Sequence, residues 1–525
     1  MQPDNGVSKT MHAPLVDQSA LAGSMAAFLT EKIGLVDVDL SRSLQENGGD
    51  SLAATLLSAH LRSRFNVDCT AARLLGRQSL AEVSTRLEYD AGALIEAAPA
   101  ADAYPLSDQQ SGVAFDQIRT PLGKQYNLPL YVETGADFDF RRFRRCMLSA
   151  LKRHAGLRMR MVLKDARLMQ CIEAFDEADF VVEDRGVATD LQDELARFCQ
   201  PFQLEEGPLY RVAKVACADK MYLLFDMHHI VTDGYSKKLL FDHINALYAG
   251  QYPALPSLAY IDYSCWVDQQ KCLPGRAVSL EYWKTKLFPL PPPLDLPTDY
   301  ARPAVRSTEA GCVRASLGAA DVAELGNVAR SAGATLYEAL IASYSVAIAC
   351  IANADDLILG SPSLGRNVSG TSETVGMFAS TACYRIKPDI EDTFISHLQK
   401  VADEVRITTQ QEFFPMDDLV KVAAQANPAP MARHPIFDLM LAFHARQLVN
   451  VELDGHPVIW EPAATRSTIF DLHMHIFERP DQLDIQLLFN SSIFSRQTAS
   501  DLLAAYLEVI KKLTSCPAQS MASIL

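Results

Sequence analysis

What this sequence lacks narrows it before any motif is read. No apolar run reaches the roughly 18 residues that a membrane-spanning helix requires. The opening residues, MQPDNGVSKTMHAPLVDQ, carry no basic region followed by an apolar core, so no secretory leader is expected. Positive charge is in deficit: 48 Lys and Arg face 64 Asp and Glu, a formal net charge of −16. No basic face can dominate such a surface, which argues against nucleic acid and against an anionic membrane as partners. None of the 11 cysteines forms a C-x-x-C pair, and stretches such as AIACIAN and DYSCWV set them among apolar neighbours. Buried free thiols in a reducing cytoplasm are expected, not disulfides. There is also no P-loop, no G-x-G-x-x-G and no G-x-S-x-G elbow.

What is present begins with size. A chain of 525 residues is too long for one ordinary core, and 49% hydrophobic with 21% charged residues is ordinary globular composition. Residues 17–88 read as a small all-α unit of four helices. SALAGSMAAFLTEKIGL has helical apolar spacing and stops at Gly34, a C-cap residue. A turn-rich loop leads to SLAATLLSAHLRSRF, where Leu52, Leu56, Leu57 and Leu61 form one stripe, and LAEVSTRLEYD supplies a last helix. Ser51 stands where the second long helix begins, after Gly48, Gly49 and Asp50. Unpaired N–H groups and the helix dipole favour negative charge there, so a phosphodiester on the Ser51 hydroxyl would sit in a favourable field. An N-cap serine or aspartate with no further role fits the same spacing.

Residues 89–103 are alanine-rich and include Pro99, the composition of a tether. From 104 to 525, strand-like and helix-like segments alternate, predicting a two-lobed α/β unit. KMYLLFDMHH and DDLILGSPSL read as buried strands; DFRRFRRCMLSALKRHAGL and DVAELGNVARSAGATLYEALIASYSVAIACIA read as helical. LFPLPPPLDLPTDYARP is too rich in proline to be either and is expected to cross between lobes of about 104–280 and 290–525.

The stretch FDMHHIVTDGYS carries the chemistry. Neighbouring side chains on a strand point to opposite faces, so His228 and His229 are ill placed to share a metal. One imidazole should pack into structure and the other should face a cavity. Gly234 after Asp233 marks a turn where backbone N–H groups become accessible. A cavity-facing histidine beside free donors supplies a proton acceptor for a nucleophile and stabilisation for an oxyanion. Two packed structural histidines at a strand end are the competing reading. His473 and His475 would share a strand face, Trp266 should pack in the core, and Arg366 and Arg385 suit surface or lobe-bridging ion pairs.

These stretches together carry a family resemblance. LQENGGDSLAATLL resembles the phosphopantetheine attachment site of peptidyl carrier domains. Residues 104–525 resemble a condensation domain of nonribosomal peptide synthetases, within the chloramphenicol-acetyltransferase-like fold. The motifs occur in order: YPLSDQQSGVAF, KRHAGLRMRM, MHHIVTDGYS, YIDYSCWV, LILGSPSLGRN, VGMFASTACYRI and RHPIFDLMLAF. The resemblance implies that Ser51 carries 4'-phosphopantetheine, that His229 is catalytic with His228 its structural neighbour, and that Gly234 offers its N–H near the reacting carbonyl. It implies that Asp233 is architectural and pairs with Arg158. Tyr235 stands where the family often has tryptophan, Ser380 where it has asparagine, and Ala155 where it has an acid.

The implied reaction joins a carrier-bound acyl thioester to an amine or alcohol, forming an amide or ester, with chain release onto a free small molecule as a further expectation. A coenzyme-A-dependent or carrier-dependent O-acyltransferase and a non-catalytic recruitment platform are the alternatives. Epimerization is disfavoured because Ser236 is followed by Lys237 and Lys238 in place of Trp-Arg. Implied partners are a phosphopantetheinyl transferase, a trans-acting adenylation or acyl-loading enzyme and synthase carrier domains, with no metal. The Met1 start suggests a native two-domain protein.

Overall fold

The computed structural model describes residues 18–525 apart from positions 50, 66, 70, 77, 90–94, 136–137, 367, 369, 410, 412–415 and 427–431. The backbone divides into two units, Met1–Leu94 and Ile95–Leu525. In the first, helices span Gln18–Phe28, Ser51–Phe65, Ala71–Leu74 and Leu80–Thr85. The first continues as a wider turn, Leu29–Ile33, and ends at Gly34 with φ 82°, a left-handed cap that costs a glycine nothing. Leu21, Met25 and Leu29 meet Leu57 and Leu61 in one apolar core, with Leu56 only partly buried at its edge. Ser79 and Glu82 close a capping box that starts the last helix. One short antiparallel pairing, Val67–Asp68 with Glu88–Tyr89, adds a strand contact that the all-helical expectation lacks.

The large unit is built on two six-stranded sheets. In the N-terminal lobe, Lys220–His228 lies at the centre between Asn127–Thr134 and Tyr210–Cys217, antiparallel to both. Its residues from Tyr222 to His228 are all buried, as the unbroken apolar run requires. The C-terminal lobe has a mixed sheet in the order 310–318, 482–490, 472–478, 439–444, 357–363, 380–386. Against it packs Leu336–Ala352, buried on almost every side. The sequence reads 321–352 as one helical stretch, but there are two helices, Ala319–Ser331 and Leu336–Ala352, bent by 99°. Gly333 at φ 67° makes the break, and Thr335 with Glu338 caps the restart. The proline-rich stretch from Phe288 to Glu309 holds no helix or strand. Among the described residues, no single helix is long and apolar enough to cross a membrane.

Two segments correct the simple division of the lobes at about residue 280–290. The strand His456–Trp460 leaves the C-terminal lobe and pairs with Leu130–Val132 at the edge of the N-terminal sheet. Val375, Met377 and Phe378 likewise join the N-terminal apolar core beside Tyr260 and Tyr263. The lobes are therefore tied together by exchanged chain as well as by side-chain contact.

Candidate active site

The two histidines end the central strand and part company there. The His228 N–H donates to Leu209 O at 2.9 Å, while the His229 N–H donates to Tyr126 O at 2.8 Å on the opposite side. His228 is fully buried, packed on Phe202 and Tyr126. Its Nδ1 accepts from Ile230 N at 3.2 Å, which pins the turn His229–Val231. Burial pushes the His228 imidazole down to about 3, so it stays neutral. His229 is half-buried, and its Nδ1 has no hydrogen-bond partner among the described residues. Burial also holds His229 below the ordinary histidine value, with the Asp233 carboxylate opposing the shift.

Asp233 is the N-cap of the helix Gly234–Tyr248, accepting from Ser236 N at 2.7 Å. Its other oxygen accepts from the Phe378 and Ala379 N–H groups at 2.9 and 3.1 Å. Arg366 completes the set at 3.2 Å, itself 2% exposed. Burial raises the Asp233 carboxyl, but Arg366 and these backbone donors outweigh it and hold the group below its usual range. The guanidinium lies between the Tyr235 and Phe378 rings, 4.6 and 4.2 Å from their centroids. Tyr235 thus supplies the aromatic face that the expected tryptophan would offer. Gly365, at φ 63°, shapes the approach of this arginine: a Cβ there would lie 1.9 Å from Phe378 O.

Arg158 therefore does not pair with Asp233, contrary to the expectation from the resemblance. It donates to Leu151 O at 2.6 Å and to Glu173 O at 3.1 Å, tying the end of the helix Phe140–Arg153 to the following strands. Its carbonyl partners lie within its own lobe, whereas Arg366 comes from the other.

Gly234 opens a 15-residue helix, so the expected turn is a helix N-terminus. Its N–H has no protein acceptor among the described residues. A Cβ placed on it would meet nothing within 4 Å. It borders a small pocket, partly open to solvent, whose wall also includes Lys237, His444, Trp460, Phe477 and Arg479. Lys237 is the residue that the sequence reading missed. In sequence it serves only, with Lys238, to disfavour epimerization, yet it is 7% exposed, with Nζ 3.6 Å from the centre of the Trp460 ring.

His473 and His475 do share the strand Leu472–Glu478, with ring centroids 4.0 Å apart. His475 Nδ1 lies 3.1 Å from His444 Nε2 in a hydrogen bond, which takes both nitrogens away from any shared cation. Trp266 stacks on Tyr263 at the edge of the N-terminal core. Arg385 pairs with Asp356 at 2.7 Å. None of the eleven cysteines forms a disulfide; Cys272 and Cys350 are exposed, so burial is not general.

Ser51 is the first residue of a 15-residue helix. Asp50 and the Ser51 side chain lie outside the described residues. On Gly49, two positions before Ser51, a Cβ would lie 2.5 Å from the Leu44 side chain, which accounts for one of the two glycines by packing. A helix start of this length suits a phosphate ester on its first residue.

Comparison with known proteins agrees with this geometry. The family described as "Condensation domain" matches residues 100–525, and "Phosphopantetheine attachment site" matches residues 26–87. Surfactin synthase subunit 1 of Bacillus subtilis (strain 168) is 29% identical over 91% of the chain and 13% of its own length. Tyrocidine synthase 2 of Brevibacillus parabrevis is 27% identical over 99% of the chain and 15% of its own length. The chain thus spans only a small part of the relatives it matches. In fold, it resembles the X-domain from teicoplanin biosynthesis, with a TM-score of 0.71 at 22% identity over 82% of this chain and 100% of that one. The first condensation domain of the calcium-dependent antibiotic synthetase superposes with a TM-score of 0.68 at 17% identity, over 81% of this chain and 98% of that one.

Proposed function

The chain belongs to the condensation-domain family of nonribosomal peptide synthetases, joined to a phosphopantetheine carrier domain, and from that premise we propose that His229 directs acyl transfer from a carrier thiol to a small nucleophile. The family's acyltransferase chemistry makes amides; with an alcohol as acceptor the same steps make an ester. The single observation carrying the proposal is the contrast between the two imidazoles: His228 is sealed, whereas His229 is half-buried, five positions before a glycine whose N–H has no protein acceptor among the described residues.

When attached at Ser51, phosphopantetheine supplies the thiol to which an acyl group is linked as a thioester. His229, neutral near pH 7 because burial lowers its proton affinity, accepts the proton of the attacking amine or hydroxyl. The Gly234 N–H, at the positive end of its helix, stabilises the negative charge that develops on the acyl carbonyl oxygen as the nucleophile adds. Asp233 and Arg366 take no proton; they fix the start of that helix. A thiolate leaves readily, so alignment of the two reactants contributes much of the acceleration.

The carrier domain implies a phosphopantetheinyl transferase and synthetase partner domains. We assign charging of the carrier to an adenylation or acyl-loading enzyme acting in trans, and the acceptor to a free small molecule. We place the reaction in the cytoplasm, where eleven cysteines persist without forming disulfides. The test is intact-mass analysis of the acyl-loaded holo-protein with candidate acceptors. Wild type should lose the acyl group to product while His229→Ala keeps it; equal loss from both would favour a recruitment role.

A further inference from the structure

Lys237 presents a problem that the transfer chemistry leaves unsolved. Its ammonium has no hydrogen-bond or ion-pair partner among the described residues, although the side chain is 7% exposed. With most of the side chain withdrawn from water, the ammonium is poorly solvated, and a tryptophan face returns only about 2 kcal/mol when desolvated. The nearest acid along the helix, Asp233, has both oxygens engaged by Ser236, Arg366, Phe378 and Ala379.

The cavity that Lys237 borders is one-sided in its chemistry. Its charged members, Lys237 and Arg479, are both cations, and among the described residues no carboxylate joins them. Arg479 is held from outside the cavity wall by Asp484, at 3.0 Å. Trp460 Nε1 is a buried donor without a partner, and the Gly234 N–H has no protein acceptor either, among the described residues. Phe241, Val451 and Phe477 make the remaining wall apolar. Donor-bearing residues around one largely apolar space suit an organic anion.

We propose that this cavity binds a free carboxylate on one of the two substrates, and that Lys237 selects for it. The assignment rests on the condensation reading only in naming the ligand a substrate. A carboxyl group engaged as a thioester carries no charge, so the anion must be a different carboxyl. Two sources meet that condition: an amino or hydroxy acid acceptor that arrives free, or an acyl donor with a second, terminal carboxyl. An acceptor tethered through its carboxyl to another carrier meets it only with a side-chain acid.

The experiment is calorimetric titration of the full-length holo-protein with two matched pairs. Leucine against leucinamide tests the acceptor source; the succinyl against the butyryl thioester of N-acetylcysteamine tests the donor source. One pair should show the carboxylate bound at least about tenfold tighter, the size of one charged hydrogen bond. Lys237→Met, which replaces a buried charge by an apolar chain and so should fold, is expected to reduce that preference to below about twofold. Lys237→Gln, closer in shape, should do the same. No preference in either pair, or a preference that survives both substitutions, overturns the proposal. Binding requires no turnover, so the same preference should persist in His229→Ala; a failure of the transfer mechanism is therefore read separately from a failure of this site.

Discussion

Asp233 of one lobe and Arg366 of the other meet at 3.2 Å, both almost completely buried and 133 residues apart in the chain. Removing one partner of such a pair leaves an uncompensated charge in the interior and typically costs about 3–5 kcal/mol. Arg366→Met should therefore lower the melting temperature of the large unit sharply, and Asp233→Asn somewhat less, since an amide still accepts from the backbone. The double substitution should cost less than the sum of the two, measured as a coupling energy in a thermodynamic cycle.

His229→Ala should reduce turnover by about a hundredfold to ten-thousandfold, the usual range for a positioned proton acceptor, with little change in melting temperature. Because burial lowers the proton affinity of His229, the acid limb of kcat/KM should fall below pH 6.5, where an exposed histidine would titrate. A limb above that value would assign the titrating group elsewhere.

Lys237→Met should stabilise the protein in a pH-dependent way. Burial lowers the Lys237 ammonium from 10.5 to about 7 in the folded chain. Between those values the unfolded chain binds more protons, so wild-type stability should rise as pH rises through that window. The gain from Lys237→Met should be largest at pH 7 and below, on the order of a few kcal/mol, and should shrink towards pH 10. Chemical denaturation at pH 6, 8 and 10 reads the slope directly.

Gly234 and Gly365 should respond oppositely to alanine. Gly365→Ala combines a left-handed backbone with a Cβ 1.9 Å from Phe378 O, so folding should suffer. At Gly234 the Cβ meets open space, so Gly234→Ala should melt like wild type. A fall in transfer rate without a fall in stability would mark that space as occupied by substrate.

Much of the site was legible because its signal is local. The His228–His229 pair, Asp233 and Gly234 lie within seven consecutive positions, and a buried strand running into a helix start leaves a clear apolar and turn pattern. Arg366 was only one arginine among several, since nothing near it in sequence names a partner so distant. Assigning Arg158 instead failed for the same reason: motif order carries no contact information. Lys237 was illegible for another reason. A lysine in the first turn of a helix ordinarily points to water, and the ring that meets it, Trp460, is brought in on a strand from far along the chain.

That imported strand also governs how the molecule can be cut. His456–Trp460 completes the hydrogen bonding of Leu130–Val132. A fragment ending near residue 290 would leave the strand Asn127–Thr134 as a bare sheet margin, with backbone donors and acceptors ready to recruit a neighbouring molecule. Separate production of the lobes should yield self-association, and only co-expression of both halves should give a soluble, assembled pair.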